Sequence, residues 1–161
     1  MSDVRVGLGF DVHPRDDGRP LSLGGVRFDR EPGLAGHSDG DVVCHAVASA
    51  LLGAAVLGDL GDHFPDTDAA FEGIAGLDLL GRVVAMLVDQ RLAPRSCDLT
   101  VIAERPRISA RREEMRRNLA AALAIEIAEV SVKATRPEGL GLVGDGAGCM
   151  AVVTVGPAQG S

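Results

Sequence analysis

One apolar segment constrains the fold of this chain more than any other feature. Residues 42–57 consist mostly of Ala, Val, Leu and Gly, with Asp39 and Asp41 before them and Gly58 after them. Asp is a typical N-cap residue and Gly a typical helix terminator, so the segment predicts a helix with Asp39 or Asp41 as its N-cap. Because this helix is apolar almost all round, we expect it to be buried. It is shorter than a membrane span of roughly 20 residues and contains His45, so no transmembrane helix is predicted.

The rest of the chain alternates short strand patterns with amphipathic helix patterns. Strands are predicted at residues 4–10, 21–23, 26–28, 98–103, 130–135 and 150–155. Two further helices are predicted at residues 77–90 and 109–124, the second capped by Ser109, and polar loops at 11–20, 31–40 and 59–76. This pattern indicates an α+β fold, with one layer of helices on one mainly antiparallel sheet. Residues 1–157 are expected to form one domain, followed by a flexible tail at 158–161.

Charge and composition exclude several classes of function. The chain carries 23 acidic and 16 basic residues, a net charge of −7, and such a surface repels nucleic acids and anionic membranes. It has four Phe but no Tyr or Trp, so aromatic stacking of bases is not expected. A polyanionic ligand would need a local source of positive charge. The three cysteines are widely spaced and form no Cys-x-x-Cys, which indicates reduced thiols in a cytoplasmic protein.

Three polar residues have the character of a metal site. Asp11 and His13 lie two residues apart at the end of a predicted strand, so their side chains point the same way. His45 belongs to a polar stripe with Asp41 and Ser49 on the apolar helix. A buried hydrogen-bonded stripe at a subunit interface explains Ser49 more readily than His45, because a buried imidazole needs two partners. Asp11, His13 and His45 together would leave one position open, which is typical of catalytic zinc, and the spacing leaves both interpretations open.

Two loop motifs could contact a ligand. His37 and Ser38 directly precede the buried helix, where free backbone N–H groups and the helix dipole favour anions. Phe64, Asp66 and Asp68 close the acidic loop. Asp readily forms turns with its own backbone, so this second motif is either a plain turn or a carboxylate platform for a polyol. Composition does not distinguish the two.

A third motif follows the strand predicted at residues 130–135. Lys133, Thr135, Arg136 and Glu138 bring a cation, a hydroxyl and a carboxylate together in a Gly-rich turn. Such a turn can hold a phosphate with backbone N–H groups, and Glu138 can hold a hard divalent cation. A solvated strand end is the alternative interpretation.

Five motifs, in this order and spacing, resemble the 2-C-methyl-D-erythritol 2,4-cyclodiphosphate synthase family of the non-mevalonate isoprenoid pathway. The motifs span about residues 4–155 and are Gly9-Phe10-Asp11-Val12-His13, Gly36-His37-Ser38-Asp39-Gly40-Asp41 with His45, Gly58-Asp59-Leu60-Gly61, Phe64-Pro65-Asp66-Thr67-Asp68, and Val132-Lys133-Ala134-Thr135. The resemblance implies a homotrimeric phosphorus–oxygen lyase with its active sites between subunits. It also implies cyclisation of 4-diphosphocytidyl-2-C-methyl-D-erythritol 2-phosphate to 2-C-methyl-D-erythritol 2,4-cyclodiphosphate, with release of CMP.

The resemblance also implies roles for individual residues. Zinc, or another divalent transition metal, would lie on Asp11, His13 and His45, one per subunit, and magnesium or manganese would bind with the substrate at Glu138. The implied catalytic residues are His37 and Arg136, the latter standing where the family has a threonine. The implied substrate-binding residues are Ser38, Asp59, Leu60, Gly61, Phe64, Asp66, Asp68, Ala103, Glu104, Arg105, Pro106, Arg107, Ala134 and Thr135.

Two other functions fit the same residues. Arg136 favours a diverged relative that acts on another CDP-linked polyol phosphate. A zinc-binding trimer without turnover is the third hypothesis, and the presence of Asp66, Asp68 and Glu138 argues against it. Two metal ions would supply the positive charge that an acidic protein needs for a polyanionic substrate.

Overall fold

A computed structural model of the chain describes residues 4–158. Within them the strands are β1 (Arg5–Leu23), β2 (Val26–Leu34), β3 (Leu92–Ala103), β4 (Val130–Thr135) and β5 (Gly146–Pro157). The α-helices are α1 (Val42–Ala55), α2 (Leu60–His63), α3 (Gly76–Asp89) and α4 (Arg112–Leu123), with single 3₁₀ turns at Ala69–Phe71, Ile108–Ala110 and Ile127–Glu129. Of the tail predicted at 158–161, residues 159–161 lie outside the described part of the chain.

The five strands form one sheet in the order β2-β1-β5-β3-β4. Neighbouring strands are antiparallel except β3 and β4, which run parallel. α1 packs on β1 and β5, α3 lies beside α1, and α4 packs against α3 and β4. The predicted α+β class is therefore confirmed, and the sheet is mixed because the connection from β3 to β4 passes through α4.

The buried helix α1 rests directly on the backbone of β1. A Cβ atom on Gly7 would lie 1.8 Å from the carbonyl oxygen of Ala50, and one on Gly9 would lie 1.9 Å from that of Ala46. Both distances are far below van der Waals contact, so only glycine fits at these two positions. This close approach brings His45 of α1 beside the polar end of the same strand.

Asp41, and not Asp39, is the N-cap of α1. The buried Asp41 carboxylate accepts hydrogen bonds from four backbone N–H groups, two in the first turn of α1 and two in the β1–β2 turn, those of Val43, Cys44, Gly24 and Gly25. Asp39 instead accepts from the N–H of Gly76 at the start of α3. The helix ends before the predicted Gly58, because Val56 adopts the left-handed conformation at φ 60°.

The prediction of a polar loop at residues 11–20 is wrong, because β1 continues through these residues to Leu23. The strand changes partner on the way: residues 5–14 pair with β5, and residues 15–16 and 20–23 pair with β2. The loop predicted at 31–40 is likewise shortened by β2, which runs to Leu34. Neighbouring strands hold these polar stretches extended through backbone hydrogen bonds, which need no alternation of apolar side chains.

Other element boundaries also differ from the sequence prediction. The acidic loop at 59–76 contains α2 and the turn Ala69–Phe71. Ser109 does not cap α4, because it lies inside the turn Ile108–Ala110 and the helix begins only at Arg112. β3 and β5 are longer than predicted, and β4 has the predicted bounds. Pairing of β3 with β5 along nearly their whole lengths accounts for the extra residues.

The face of the sheet turned away from the helices is apolar and exposed. Its side chains belong to alternate residues of β1 and β5 and comprise Val6, Leu8, Phe10, Val12, Met150 and Val152. Val6 and Leu8 are 66% and 65% exposed, which is unusual for a contiguous group of large apolar side chains. The three cysteines are buried and unpaired. Among the helices of residues 4–158, none is long and apolar enough to cross a membrane.

Candidate metal centre and active site

Asp11, His13 and His45 converge where β1 passes the first turn of α1. Oδ2 of Asp11 lies 3.0 Å from Nε2 of His13 and 3.1 Å from Nδ1 of His45. The three atoms lie within 4.8 Å of one another, so they could hold one metal ion. His45 is buried, whereas Asp11 and His13 are half-buried at the wall of a pocket. Two imidazoles and a carboxylate around one point are a suitable donor set for zinc with a position left open.

The second nitrogen of each imidazole has its own partner. Nε2 of His45 lies 3.0 Å from Oγ of Ser38, which also accepts a hydrogen bond from the N–H of Gly40 at 3.2 Å. The ring of His13 hydrogen-bonds to the backbone of Ala35. Histidine ligands normally donate their second N–H to a nearby oxygen, which fixes the tautomer and the ring orientation. The surroundings of both rings therefore fit metal ligation.

The protonation of the triad follows from its contacts. Burial raises the pKa of Asp11, but hydrogen bonds from His13 and His45 outweigh burial and lower it to about 2. The hydrogen bond to Asp11 raises the pKa of His13, and burial opposes this effect. Asp11 is thus a carboxylate at neutral pH, and a proton on His13 competes with a metal ion for the same lone pair.

The triad opens into a pocket of about 540 Å³. The loop before α1 and the segment around α2 bring six of the sequence-predicted residues to its wall: His37, Ser38, Leu60, Gly61, Phe64 and Asp66. Four apolar residues of its wall were not predicted from the sequence, namely Pro65, Phe71, Ile74 and Leu79. Only the clustering of Phe71 and Ile74 within an otherwise acidic segment could have indicated it.

Asp59 and Asp68 do not line this pocket. Asp59 forms a capping box with Asp62 at the start of α2. The carboxylate of Asp68 accepts from the N–H of Ala70, and its carbonyl accepts from Nε2 of His37 at 3.2 Å. Both aspartates therefore shape the segment that carries the pocket residues.

A second pocket, of about 220 Å³, lies at the ends of β3 and β4. Seven of its residues were predicted, namely Ala103, Glu104, Pro106, Arg107, Ala134, Thr135 and Arg136, and three were missed, Ile108, Ser109 and Arg112. Nε of Arg112 is buried and has no hydrogen-bond partner within the described residues. Three arginines around one small cavity suit an anionic ligand.

Like Asp59 and Asp68, the predicted residues Arg105 and Glu138 lie outside both pockets. The Arg105 side chain pairs with Glu31 at 3.4 Å, and its carbonyl accepts from Arg15 at 2.6 Å. Glu138 lies on the exposed turn after β4 in the left-handed region, at φ 54°. The structure of one chain therefore does not bring Glu138 to the triad, and the two pockets share no lining residue.

These features define a class: an α+β protein with three residues that could hold a metal ion in one pocket and a separate arginine-lined pocket. The sequence model of the YgbB family matches residues 4–156, and the chain belongs to this family.

Relatives cover the chain almost from end to end. The chain is 47% identical over 159 residues to the 2-C-methyl-D-erythritol 2,4-cyclodiphosphate synthase of Alkaliphilus metalliredigens, covering 98% of this chain and 100% of the relative. It is 51% identical over 154 residues to the synthase of the same name from Salinibacter ruber, covering 94% and 98%. The solved IspF of Plasmodium falciparum, a CDP complex, superposes with a TM-score of 0.83 at 28% identity, covering 99% of both chains.

Proposed function

We propose that this chain cyclises 4-diphosphocytidyl-2-C-methyl-D-erythritol 2-phosphate to 2-C-methyl-D-erythritol 2,4-cyclodiphosphate and releases CMP. The observation that carries the proposal is the convergence of Asp11, His13 and His45 at the wall of the larger pocket. Relatives at 47% and 51% identity are named for this synthesis, and the IspF structure was solved with CDP. The reaction makes the protein a phosphorus–oxygen lyase of the non-mevalonate pathway.

Zinc is the metal proposed for Asp11, His13 and His45. When bound, it supplies a Lewis acid that polarises a phosphoryl oxygen and offsets negative charge. Ser38 holds the His45 ring in place through its contact with Nε2. Nε2 of His37 lies 3.2 Å from the Asp68 carbonyl oxygen, and His37 also lines the pocket where the phosphate would bind.

The larger pocket is proposed to hold the methylerythritol part of the substrate. Phe64, Phe71 and Ile74 offer an apolar wall for the carbon skeleton, and the Asp66 carboxylate can accept hydrogen bonds from hydroxyl groups. The attacking group is a phosphate oxygen that is already anionic, so the reaction needs positioning and charge neutralisation more than a strong base.

The smaller pocket is proposed to hold the cytidine and its diphosphate. Four residues of the segment after β3 line this cavity together with Thr135 and Arg136, namely Ala103, Glu104, Pro106 and Arg107. Arg107 and Arg136 supply fixed positive charge, and the Thr135 hydroxyl supplies a donor.

A homotrimer is proposed because the two pockets of one chain are separate from each other. The exposed apolar face of β1 and β5 is a surface that association would bury. In such an assembly the smaller pocket of one subunit would meet the larger pocket of its neighbour, and Glu138 of one subunit could hold magnesium or manganese beside the neighbour's triad. Light scattering that returns a monomer would contradict this part of the proposal.

The cytoplasm is the proposed location. Its support is the state of the cysteines, since Cys44, Cys97 and Cys149 are all buried and unpaired.

A CMP-release assay with the named substrate tests the function. We expect release only when zinc and a second divalent ion are both present. His45→Ala should abolish release together with zinc, whereas Glu138→Gln should weaken the effect of the second ion and leave zinc bound. The zinc-loaded protein could instead release CMP only from another CDP-linked polyol phosphate. That result would contradict the proposed substrate and support the alternative that the chain is a diverged relative, which Arg136 favours.

A further inference from the structure

Arg19 lines neither of the two pockets, yet its guanidinium group contacts the loop that carries part of the larger one. Nη1 donates to the carbonyl of Gly36 at 2.6 Å and to that of Leu34 at 3.3 Å, and Nη2 donates to the carbonyl of Ser38. The rigid planar fork of arginine can bind several acceptors at once. Three alternate carbonyls of one loop are therefore held by one side chain.

This loop supplies the outer partner of both candidate histidine ligands. His13 hydrogen-bonds to the backbone of Ala35, and the Ser38 hydroxyl lies 3.0 Å from Nε2 of His45. Ala35 lies between two of the carbonyls that Arg19 binds, and Ser38 carries the third. The orientation of both imidazoles thus depends on a loop whose path Arg19 fixes.

An irregularity in β1 aims Arg19 at the loop. Asp16 pairs with Gly33 and Pro20 pairs with Pro32, so residues 17–19 have no counterpart on β2 and bulge out of the ladder. The Asp16 carboxylate accepts from the N–H of Gly18 at 2.9 Å and closes the bulge. A Cβ atom on Gly33 would lie 2.5 Å from the Pro20 carbonyl oxygen, so the close approach needs glycine there.

We propose that Arg19 is a positioning residue of the metal centre, acting through the Leu34–Ser38 loop on the rings of His13 and His45. It touches neither ligand with a hydrogen bond. Its effect is to keep the Ala35 backbone and the Ser38 hydroxyl where they orient the two imidazoles. The inference rests on the metal centre proposed above.

The test compares Arg19→Met with Arg27→Met in the full-length protein. Arg27 is an exposed arginine of the same hairpin whose guanidinium pairs with Asp29 at 2.7 Å. Zinc affinity is measured by competition with a chromophoric chelator, and ring orientation by the ligand-field absorption of the cobalt-substituted protein. We expect Arg19→Met to weaken zinc binding about 10-fold and to change the cobalt spectrum, as loss of an outer partner does, and Arg27→Met to change neither.

Two further variants separate positioning from a general loss of structure. Arg19→Lys keeps the charge but offers one ammonium group for three carbonyls, so its zinc affinity should fall between those of the wild type and Arg19→Met. Ser38→Ala should cost less zinc affinity in the Arg19→Met background than in the wild type, because the hydroxyl is already displaced. If Arg19→Met does not fold, the Lys variant and its combination with Ser38→Ala carry the test.

The results of these experiments distinguish a failure of the proposed role of Arg19 from a failure of the proposed reaction. Wild-type zinc affinity and an unchanged cobalt spectrum in a folded Arg19→Met protein would overturn the role of Arg19. A wild-type protein that binds neither zinc nor cobalt would overturn the metal centre and the inference together. A protein that binds zinc and shows the predicted Arg19 effects, yet releases no CMP, would overturn the proposed reaction and support the inference.

Discussion

The hydroxyl oxygen of Ser38 lies 3.0 Å from Nε2 of His45 and couples the loop before α1 to the helix itself. His37, the neighbour of Ser38 in the loop, lines the pocket, and His45 in the helix is a candidate metal ligand. A displacement of the loop would therefore change both the substrate contact and the orientation of the imidazole.

The first prediction concerns the loss of zinc. His45→Ala should remove the metal, because two ligands remain, and Ser38→Ala should weaken zinc binding by about 10- to 100-fold, because the ring loses its outer partner. Elemental analysis and chelator competition measure both effects. Ser49→Ala is the matched control, since Ser49 lies one helical turn further along α1 and does not line the pocket. Stoichiometric zinc in the His45→Ala protein would show that the ligand assignment is wrong.

The second prediction is a pH dependence of stability in the metal-free protein. The pKa of His13 is raised above its usual 6.5 by the hydrogen bond to Asp11. The stabilisation that this proton gives is complete below pH 6.5 and is lost as pH rises through the raised value. The free energy of unfolding should therefore decrease as pH rises above 6.5. His13→Asn should abolish this decrease in urea titrations.

Zinc provides the control for that prediction. At saturating zinc His13 is a neutral imidazole in the folded state, so the decrease above pH 6.5 should disappear. At acid pH the stability changes with pH in the opposite direction. The lowered pKa of Asp11, about 2, contributes stability that is present above pH 3.8 and lost as pH falls toward 2. A metal-free protein whose stability rises as pH increases above 6.5 would contradict the raised pKa of His13.

The third prediction tests whether neighbouring subunits share each site. His45→Ala disables the larger pocket, and Ala134→Trp should fill the smaller one, because Ala134 lines its wall. Each variant alone should be inactive. Co-expressed in equal amounts as random trimers, the two should recover about one quarter of the wild-type activity per site, because that fraction of subunit boundaries combines two intact pockets. No recovery in mixed trimers would mean that one chain builds the whole site.

The fourth prediction concerns Arg136, which lines the smaller pocket. A permanent positive charge there attracts the diphosphate of the bound substrate as well as that of the transition state. Arg136→Thr should therefore raise KM and leave kcat equal or higher in steady-state CMP release. Arg107→Lys, which keeps the charge in the same cavity, is the comparison. A large fall in kcat for Arg136→Thr would show that the arginine itself stabilises the transition state.

The fifth prediction concerns the contact between α1 and β1. Gly9→Ala should destabilise the fold by about 3 kcal/mol or more and weaken zinc binding, because the new methyl group would push Ala46 and the ligand-bearing helix off the strand. Gly53→Ala is the control, since a Cβ on Gly53 of the same helix meets no atom within 4 Å. It should stabilise the protein by about 0.5–1 kcal/mol through helix propensity. Thermal and urea unfolding compare the two variants.

Much of the metal centre could be predicted because its signals are local. Residues two apart on a strand share a face, so the sequence predicts that Asp11 and His13 lie together. His45 is conspicuous because it is an imidazole on an otherwise apolar helix. The outer partners could not be predicted in the same way. Ala35 reaches His13 only because β2 continues to Leu34 and the loop then turns back, a path set by tertiary contacts.

Some elements of the fold could likewise be predicted from the sequence, and others could not. The apolar run of α1, with its capping residues, and the apolar periodicity of α3 predict both helices within a few residues of their true ends. The polar half of β1 has no apolar periodicity, because hydrogen bonds to β2 hold it extended and its polar side chains are half-buried or exposed. The start of α4 was misplaced because Ser109 is a good capping residue that the chain uses inside a 3₁₀ turn instead.

The buried cysteines have a practical consequence for experiments on assembly. Burial raises the pKa of Cys97 to about 12 and those of Cys44 and Cys149 well above the usual value, so none presents a reactive thiolate near neutral pH. Maleimide dyes should leave the native chain unlabelled. A single cysteine introduced at the exposed Val88 of α3 would then be the sole attachment point for a fluorophore, and energy transfer between labelled copies could follow subunit exchange in dilute solution.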